Sequence, residues 1–244
     1  MKMEEPEKYY VGHYELEYRS RLLARSIFEH ESVQQHIAEL AKAVNKFKRQ
    51  NARLSDKALL NQALRQVGRF HVVGLNRGGV EISKYSTDEL THCVSKKLSE
   101  LTGLKMNYEI NHAVTSVSRT AFGENTLSPP VVDENITAKY PFSNVGPNDL
   151  VWFMDDLVDK GHSFRAIKAK YDQQFNLRTA ALFVKDAREF HPDAHGEEVS
   201  ADLWVVFPSE KREHGWSTSE TEIKEMFNRE VRYASLLKQL MAAA

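Results

Sequence analysis

The chain has 244 residues, 41% hydrophobic and 27% charged, with a formal net charge of -1. That balance excludes a disordered or fibrous chain, removes any global electrostatic pull toward nucleic acid or membrane, and fits one globular domain with appendages. Cysteine occurs once, at Cys93. An intrachain disulfide or a cysteine-based zinc site is therefore impossible, which suits a reducing cytoplasm, and Cys93 itself reads as a small buried residue on a helix.

No apolar run approaches the ~20 residues that span a bilayer, and the acidic, polar start MKMEEPEKYY does not read as a signal peptide. A cytoplasmic protein with no membrane partner is expected. From Leu22 to Phe47 the apolar positions Ile27, Val33, Ile37, Leu40 and Val44 keep mostly three- and four-residue spacing, predicting one or two amphipathic helices. Another helix is expected over 56–67. These residues, 1–67, form a helical amino-terminal extension to a core over 68–210, and 211–244 form a carboxy-terminal helical segment.

In the core, FHVVGL (70–75), bounded by Gly74 and an NRGG turn, predicts a buried strand. Ser86 and Glu89 have capping-box spacing ahead of Leu90, Val94 and Leu98, so a helix is expected to start there and run to Gly103. LKMNYEI (104–110) alternates like a strand. Residues 111–147, rich in Gly, Pro, Ser, Asn and Thr, read as a mobile flap. Beyond them come strand 150–154, a helix over 163–174 starting at Ser163, and strands over 177–184 and 202–207. Alternating strands and helices predict an α/β fold with a mainly parallel sheet flanked by helices. Ser219 and Glu222 cap a final helix carrying Ile223, Phe227, Val231, Ala234, Leu237 and Met241.

The stretch VWFMDDLVDKGHSF (151–164) runs from apolar strand into Asp155, Asp156, Asp159, Gly161 and Ser163. In open α/β sheets ligands bind beyond the carboxyl ends of strands, so position alone favours a site here. The carboxylates can accept sugar hydroxyls or hold magnesium. Gly161 permits close backbone approach, and the amides of Lys160 to Ser163 open a helix where an anion is welcome. A solvated turn with an acid near a helix start is the bland alternative.

The same stretch resembles the phosphoribosyl-diphosphate (PRPP) motif of the type I phosphoribosyltransferases: apolar strand, two acids, two apolar residues, then an acid, glycine and hydroxyl in register. The resemblance extends over approximately residues 68–210. VVGLNRGGV (72–80) resembles that family's pyrophosphate loop, and ALFVKD with DLWVVFPSE resembles strands of the 6-oxopurine branch, the xanthine-guanine and hypoxanthine-guanine enzymes.

The resemblance implies roles. Asp155 and Asp156 would hold the ribose hydroxyls and a magnesium, with Glu210 near a second magnesium. Lys160, Gly161, His162 and Ser163 would wrap the 5′-phosphate. Arg77, Gly78 and Gly79 would face the pyrophosphate, Arg77 acting in catalysis. Asp159 would share the proton the base loses. Lys185 would read the purine C6 oxygen, and Trp204 would stack on the base. Bland alternatives stand beside these: Trp204 as ordinary core, Lys185 as a solvated charge, Arg77 as a plain turn. The implied activity is Mg2+-dependent transfer of phosphoribosyl from PRPP to a purine-like base, in a homo-oligomer.

Lys160 stands where the family has threonine, and Ser163 replaces its second threonine. With the helical extensions, this departure motivates the alternative of a diverged regulator or effector that binds a nucleotide and a macromolecular partner. Lys42, Lys46, Lys48, Arg49, Arg53 and Lys57 face only Asp56 in their segment. Such a run is either a solvated helix face or a contact for nucleic acid or protein. The scattered histidines lack metal-ligand spacing, and no zinc site is expected.

Overall fold

A computed structural model describes residues 7–76, 78–118, 121–122, 126–127, 131–132, 137–138, 145–186, 189–208 and 219–243. Its elements run β1 (Lys8–Tyr10), α1 (His13–Glu29), α2 (Glu31–Gln50), α3 (Asp56–Val67), β2 (Phe70–Asn76), α4 (Gly79–Thr102), β3 (Asn111–Ser118), then the short strands β4 (Ala121–Phe122), β5 (Thr126–Leu127), β6 (Val131–Val132) and β7 (Thr137–Ala138). The second half is β8 (Leu150–Val158), α5 (His162–Tyr171), β9 (Asn176–Lys185), β10 (Ala194–Val199), β11 (Trp204–Val206) and α6 (Glu220–Ala242).

Strands β10, β9, β8, β2 and β3 lie side by side in that order, every pair parallel, with β6 and β7 added antiparallel to β3. Parallel strands covered on both faces carry side chains that are apolar on both sides, which is why FHVVGL and LVWFM are near-continuous apolar runs. Along β8, Leu150, Trp152 and Met154 face one core with Ile37, Leu40, Ile82 and Leu90 of α2 and α4. Val151 and Phe153 face the other with Phe164 and Ile167 of α5. The mainly parallel α/β sheet flanked by helices is thus the observed fold, and α1 to α3 pack on the same core as the sheet.

The 22–47 periodicity resolves into two helices. His30 breaks them with extended backbone, and its ring accepts the Ser32 N–H to cap α2. Four expectations need correction. First, α4 starts at Gly79, about two turns before Ser86. Ser86 is buried inside it, its hydroxyl donating to the Ser20 carbonyl, while Glu89 is buried against Arg21 and Arg25. Second, 104–110 is extended but joins no sheet. Met106, Tyr108 and Ile110 are buried as the alternation suggests, yet the backbone is served by helix hydroxyls: Met106 N–H donates to Ser99 Oγ and Tyr108 N–H to Ser95 Oγ.

Third, 111–118 belongs to strand β3 rather than to a flap. Fourth, α5 begins at His162, one residue before Ser163, and ends at Tyr171. The short strands β1 and β10 escaped notice altogether. Cys93 does lie on a helix, α4, but is half-buried. No helix among the described residues is long and apolar enough to cross a membrane.

Candidate functional site

β2 and β8 are neighbours from which the chain departs in opposite directions: β2 leads by α4 to β3 on one side, β8 leads by α5 to β9 on the other. Such a switch point leaves a crevice at the carboxyl ends of the strands. Here it begins at a definite residue. Phe70 to Gly74 pair with Leu150 to Met154, and from Asp155 onward β8 pairs only with β9.

Asp155 and Asp156 therefore sit on the strand itself, at its first stretch free of β2. Asp156 N–H donates to Asp155 Oδ1 at 3.0 Å, and Leu157 N–H to Asp156 Oδ1 at 2.7 Å. Burial, and then repulsion from the adjacent Asp156 carboxylate, push the Asp155 carboxyl well above the usual carboxylate range. Two hard oxygen donors in mutual repulsion are suited to a divalent cation or to hydroxyl donors, either of which relieves the cost.

The Gly78–Gly79 turn lies against this pair. A Cβ on Gly78 would fall within 1.5 Å of Asp156 Oδ2, and one on Gly79 within 2.5 Å of the Met154 carbonyl. Only residues without side chains permit that approach. The turn after β2 and the acids of β8, remote in sequence, are thus brought into contact.

After β8 the chain enters the loop that opens α5, and a cavity of about 460 Å³ is lined by Asp155, Asp159, Lys160, Gly161, His162 and Ser163 with their apolar neighbours. Gly161 has φ of 74°, the left-handed conformation, and a Cβ there would meet Phe190 at 2.1 Å. The loop needs glycine on both counts. His162 Nδ1 lies 2.8 Å from Arg165 Nη2, which fixes the ring at the first turn of α5. The first N–H groups of a helix point along its axis and find no acceptor within it, so this helix start favours an anion.

Asp159 is largely exposed at the cavity, with Lys185 Nζ 3.9 Å away. Lys185 is mostly buried at the end of β9 and donates to the Ala201 carbonyl at 2.9 Å, so its ammonium is aimed rather than loose. Trp204 is 47% exposed at the start of β11, which rules out ordinary core. It does not line the cavity. Its place is set by β1: Lys8 pairs with Trp204, and Trp204 N–H donates to the Glu7 carbonyl at 2.8 Å.

The structure thus gathers Gly78, Gly79, Asp155, Asp156, Asp159, Lys160, Gly161, His162, Ser163 and Lys185 at one end of the sheet. Arg77 and Glu210 lie outside the described residues. Sequence reasoning missed Arg165 and Phe190, which hold the loop; the three-residue step from His162 to Arg165 on a helix was the available signal. A larger cavity, about 910 Å³, lies among Asp56, Lys57, Arg69, Lys105 and Glu109, at the amino ends of β2 and β3. It faces away from the strand ends where α/β chemistry is built.

No protein-family model and no curated protein matches the chain. Among solved structures it is similar to a purine phosphoribosyltransferase from Pyrococcus horikoshii, at 16% identity and a TM-score of 0.47, over 88% of this chain and 99% of that one. It is similar also to the xanthine-guanine-hypoxanthine phosphoribosyltransferase of Helicobacter pylori, at 15% identity and 0.43, over 85% and 97%. A third is a hypothetical protein from Neisseria gonorrhoeae with bound ppGpp, at 13% identity and 0.41, over 96% and 99%.

Proposed function

We propose that the protein transfers phosphoribosyl from PRPP to a purine-like base, releasing pyrophosphate. The observation that carries this reading is the contact between the Gly78–Gly79 turn and the Asp155–Asp156 pair beside the anion-favouring start of α5. A ligand there meets three chemistries in a row: a glycine turn for one phosphate group, acids for hydroxyls, and helix amides for another phosphate. That order matches a sugar phosphorylated at both ends.

In this reading Lys160, Gly161, His162 and Ser163 bind the 5′-phosphate, with Lys160 adding charge where a hydroxyl is usual. Asp155 and Asp156 orient the ribose and would hold Mg2+, for which their oxygens and their repulsion fit. When bound, that ion would offset charge on the pyrophosphate. Arg77, Gly78 and Gly79 meet the leaving group, and Glu210 would complete the acidic set.

At the anomeric carbon the bond to pyrophosphate oxygen breaks as the bond to a base nitrogen forms, the electron pair leaving with pyrophosphate. The base gives up its proton to Asp159, which is exposed to the cavity and steadied by Lys185. Orientation and exclusion of water supply most of the acceleration, since the reaction requires no nucleophilic side chain. Lys185 reads an exocyclic oxygen, and Trp204, half-exposed on β11, offers its face to the base.

The test is pyrophosphate release from PRPP and magnesium, with hypoxanthine, guanine, xanthine and adenine supplied singly and a control without base. Release that depends on one 6-oxopurine supports the reading. Asp159→Asn is then expected to lower kcat by about 10²-fold with little change in KM for PRPP. Nucleotide binding without release for any base would replace the transferase by the regulator reading that Lys160 also fits.

A further inference from the structure

Helix α6 is capped as its sequence predicts, by Ser219 and Glu222 in a reciprocal pair of hydrogen bonds. One side is used. Arg229 donates to the Tyr10 carbonyl and lies over the Tyr9 ring, Glu230 accepts the Tyr14 and Glu15 N–H groups, and Tyr233 accepts from Arg19. Those contacts hold α6 along α1.

The apolar row of the same helix is not in the core. Ile223, Phe227 and Val231, at four-residue steps, are 48%, 66% and 57% exposed, and among the residues of α6 only Leu237 is buried. Three large apolar side chains in one exposed row are a contact surface seeking a cover. The row is bounded on the same side by an acid, Glu220, and a base, Lys238, both exposed. Glu220 and Lys238 stand equally far in sequence from Arg229, and so do Phe227 and Val231.

We infer that this face pairs with the α6 of a second copy, antiparallel, about the level of Arg229. That register sets each Phe227 against the other's Val231 and each Glu220 against the other's Lys238. Every contact is made twice, as a two-fold interface requires. A parallel pairing would instead set acid on acid and base on base, which charge disfavours. The inference uses no residue of the cavity at the strand ends and stands independently of the transferase reading.

Sedimentation velocity of the full chain over a concentration series tests it. A monomer–dimer equilibrium is expected. Phe227→Glu is expected to weaken it about 100-fold, Glu220→Lys or Lys238→Glu about 10-fold each, and the double exchange is expected to recover most of that loss. Phe227 is exposed, so the monomer should keep its fold, and the charge exchanges provide a reading that needs no apolar substitution. A chain that stays monomeric, a dimer indifferent to these changes, or a double exchange no better than the singles would each overturn the inference.

Discussion

Asp155 is a carboxylate placed where folding gains nothing from it. It is half-buried on β8 beside a second acid, and burial with repulsion from Asp156 raises its carboxyl well above the usual range. A raised carboxyl penalises the folded state at every pH above the unfolded value, because ionisation there costs more in the native protein than in the open chain. Asp155→Asn keeps the shape and removes the charge. At neutral pH it is expected to raise Tm by a few degrees, about 3 °C for each kcal/mol recovered, while PRPP binding by calorimetry falls at least about 10-fold. A variant that binds PRPP normally would remove Asp155 from the site, and one that melts lower would show the acid to be structural.

At the scale of elements, α4 shows how a helix can be concealed by its own sequence. After Gly79 its first turns read EISKYSTDEL, too polar for a buried helix, yet Ser83, Ser86, Thr87 and Glu89 are all buried. Two hydroxyls are satisfied locally, Ser83 donating to the Val80 carbonyl and Thr87 to the Ser83 carbonyl, while Ser86 donates across to the Ser20 carbonyl of α1. Glu89 is satisfied across the interface with α1, by Arg25 at 2.7 Å and Arg21 at 3.2 Å. Glu89→Ala leaves two partly buried guanidinium groups without that carboxylate and is expected to cost about 2 kcal/mol. Urea denaturation measures it, and a loss under about 0.5 kcal/mol would mean the cluster is merely surface charge.

The same contrast separates what sequence disclosed from what it hid. Where burial is by apolar side chains, as in β2, β9 and the Leu150–Met154 part of β8, pattern and element coincide, whereas β8 runs on through its acids to Val158, beyond the strand expected over 150–154. Where it is by polar side chains with partners far along the chain, as at Glu89, a capping box and an interior position look alike. β10 was hidden for another reason: His195, Glu197 and Glu198 are exposed on an edge strand, so no apolar pattern marks it. The acids and glycine of 155–161 were legible because one strand and one loop carry them in sequence. The approach of Gly78 to Asp156 was not, since it depends on how β2 and β8 lie together.

At the scale of the whole molecule, the helical layer meets the amino ends of the sheet through His36 of α2. Its ring lies 3.3 Å from the Tyr108 hydroxyl and edge-on to Phe70. Burial lowers its pKa from 6.5 to about 4, so the folded protein holds it neutral. As pH falls below 6.5 the unfolded chain binds a proton there that the folded chain refuses, and stability drops until pH nears 4. At 1.36 kcal/mol per unit the full loss is about 3 kcal/mol. His112, also lowered by burial, acts in the same direction. Asp149 acts lower down: although burial alone would raise it, bonds from His71 and from the Arg69 and Gly146 N–H groups hold its carboxyl low. Its contribution is lost only as pH falls below the usual carboxylate range. Asp155 has the opposite sign, gaining stability as it is protonated. Comparing wild type with His36→Gln at pH 6.5, 5.5 and 4.5 by urea denaturation isolates the histidine from all three. The variant is expected to lose the share of the slope that His36 carries, and an unchanged slope would mean that its ring is charged or accessible in the folded protein.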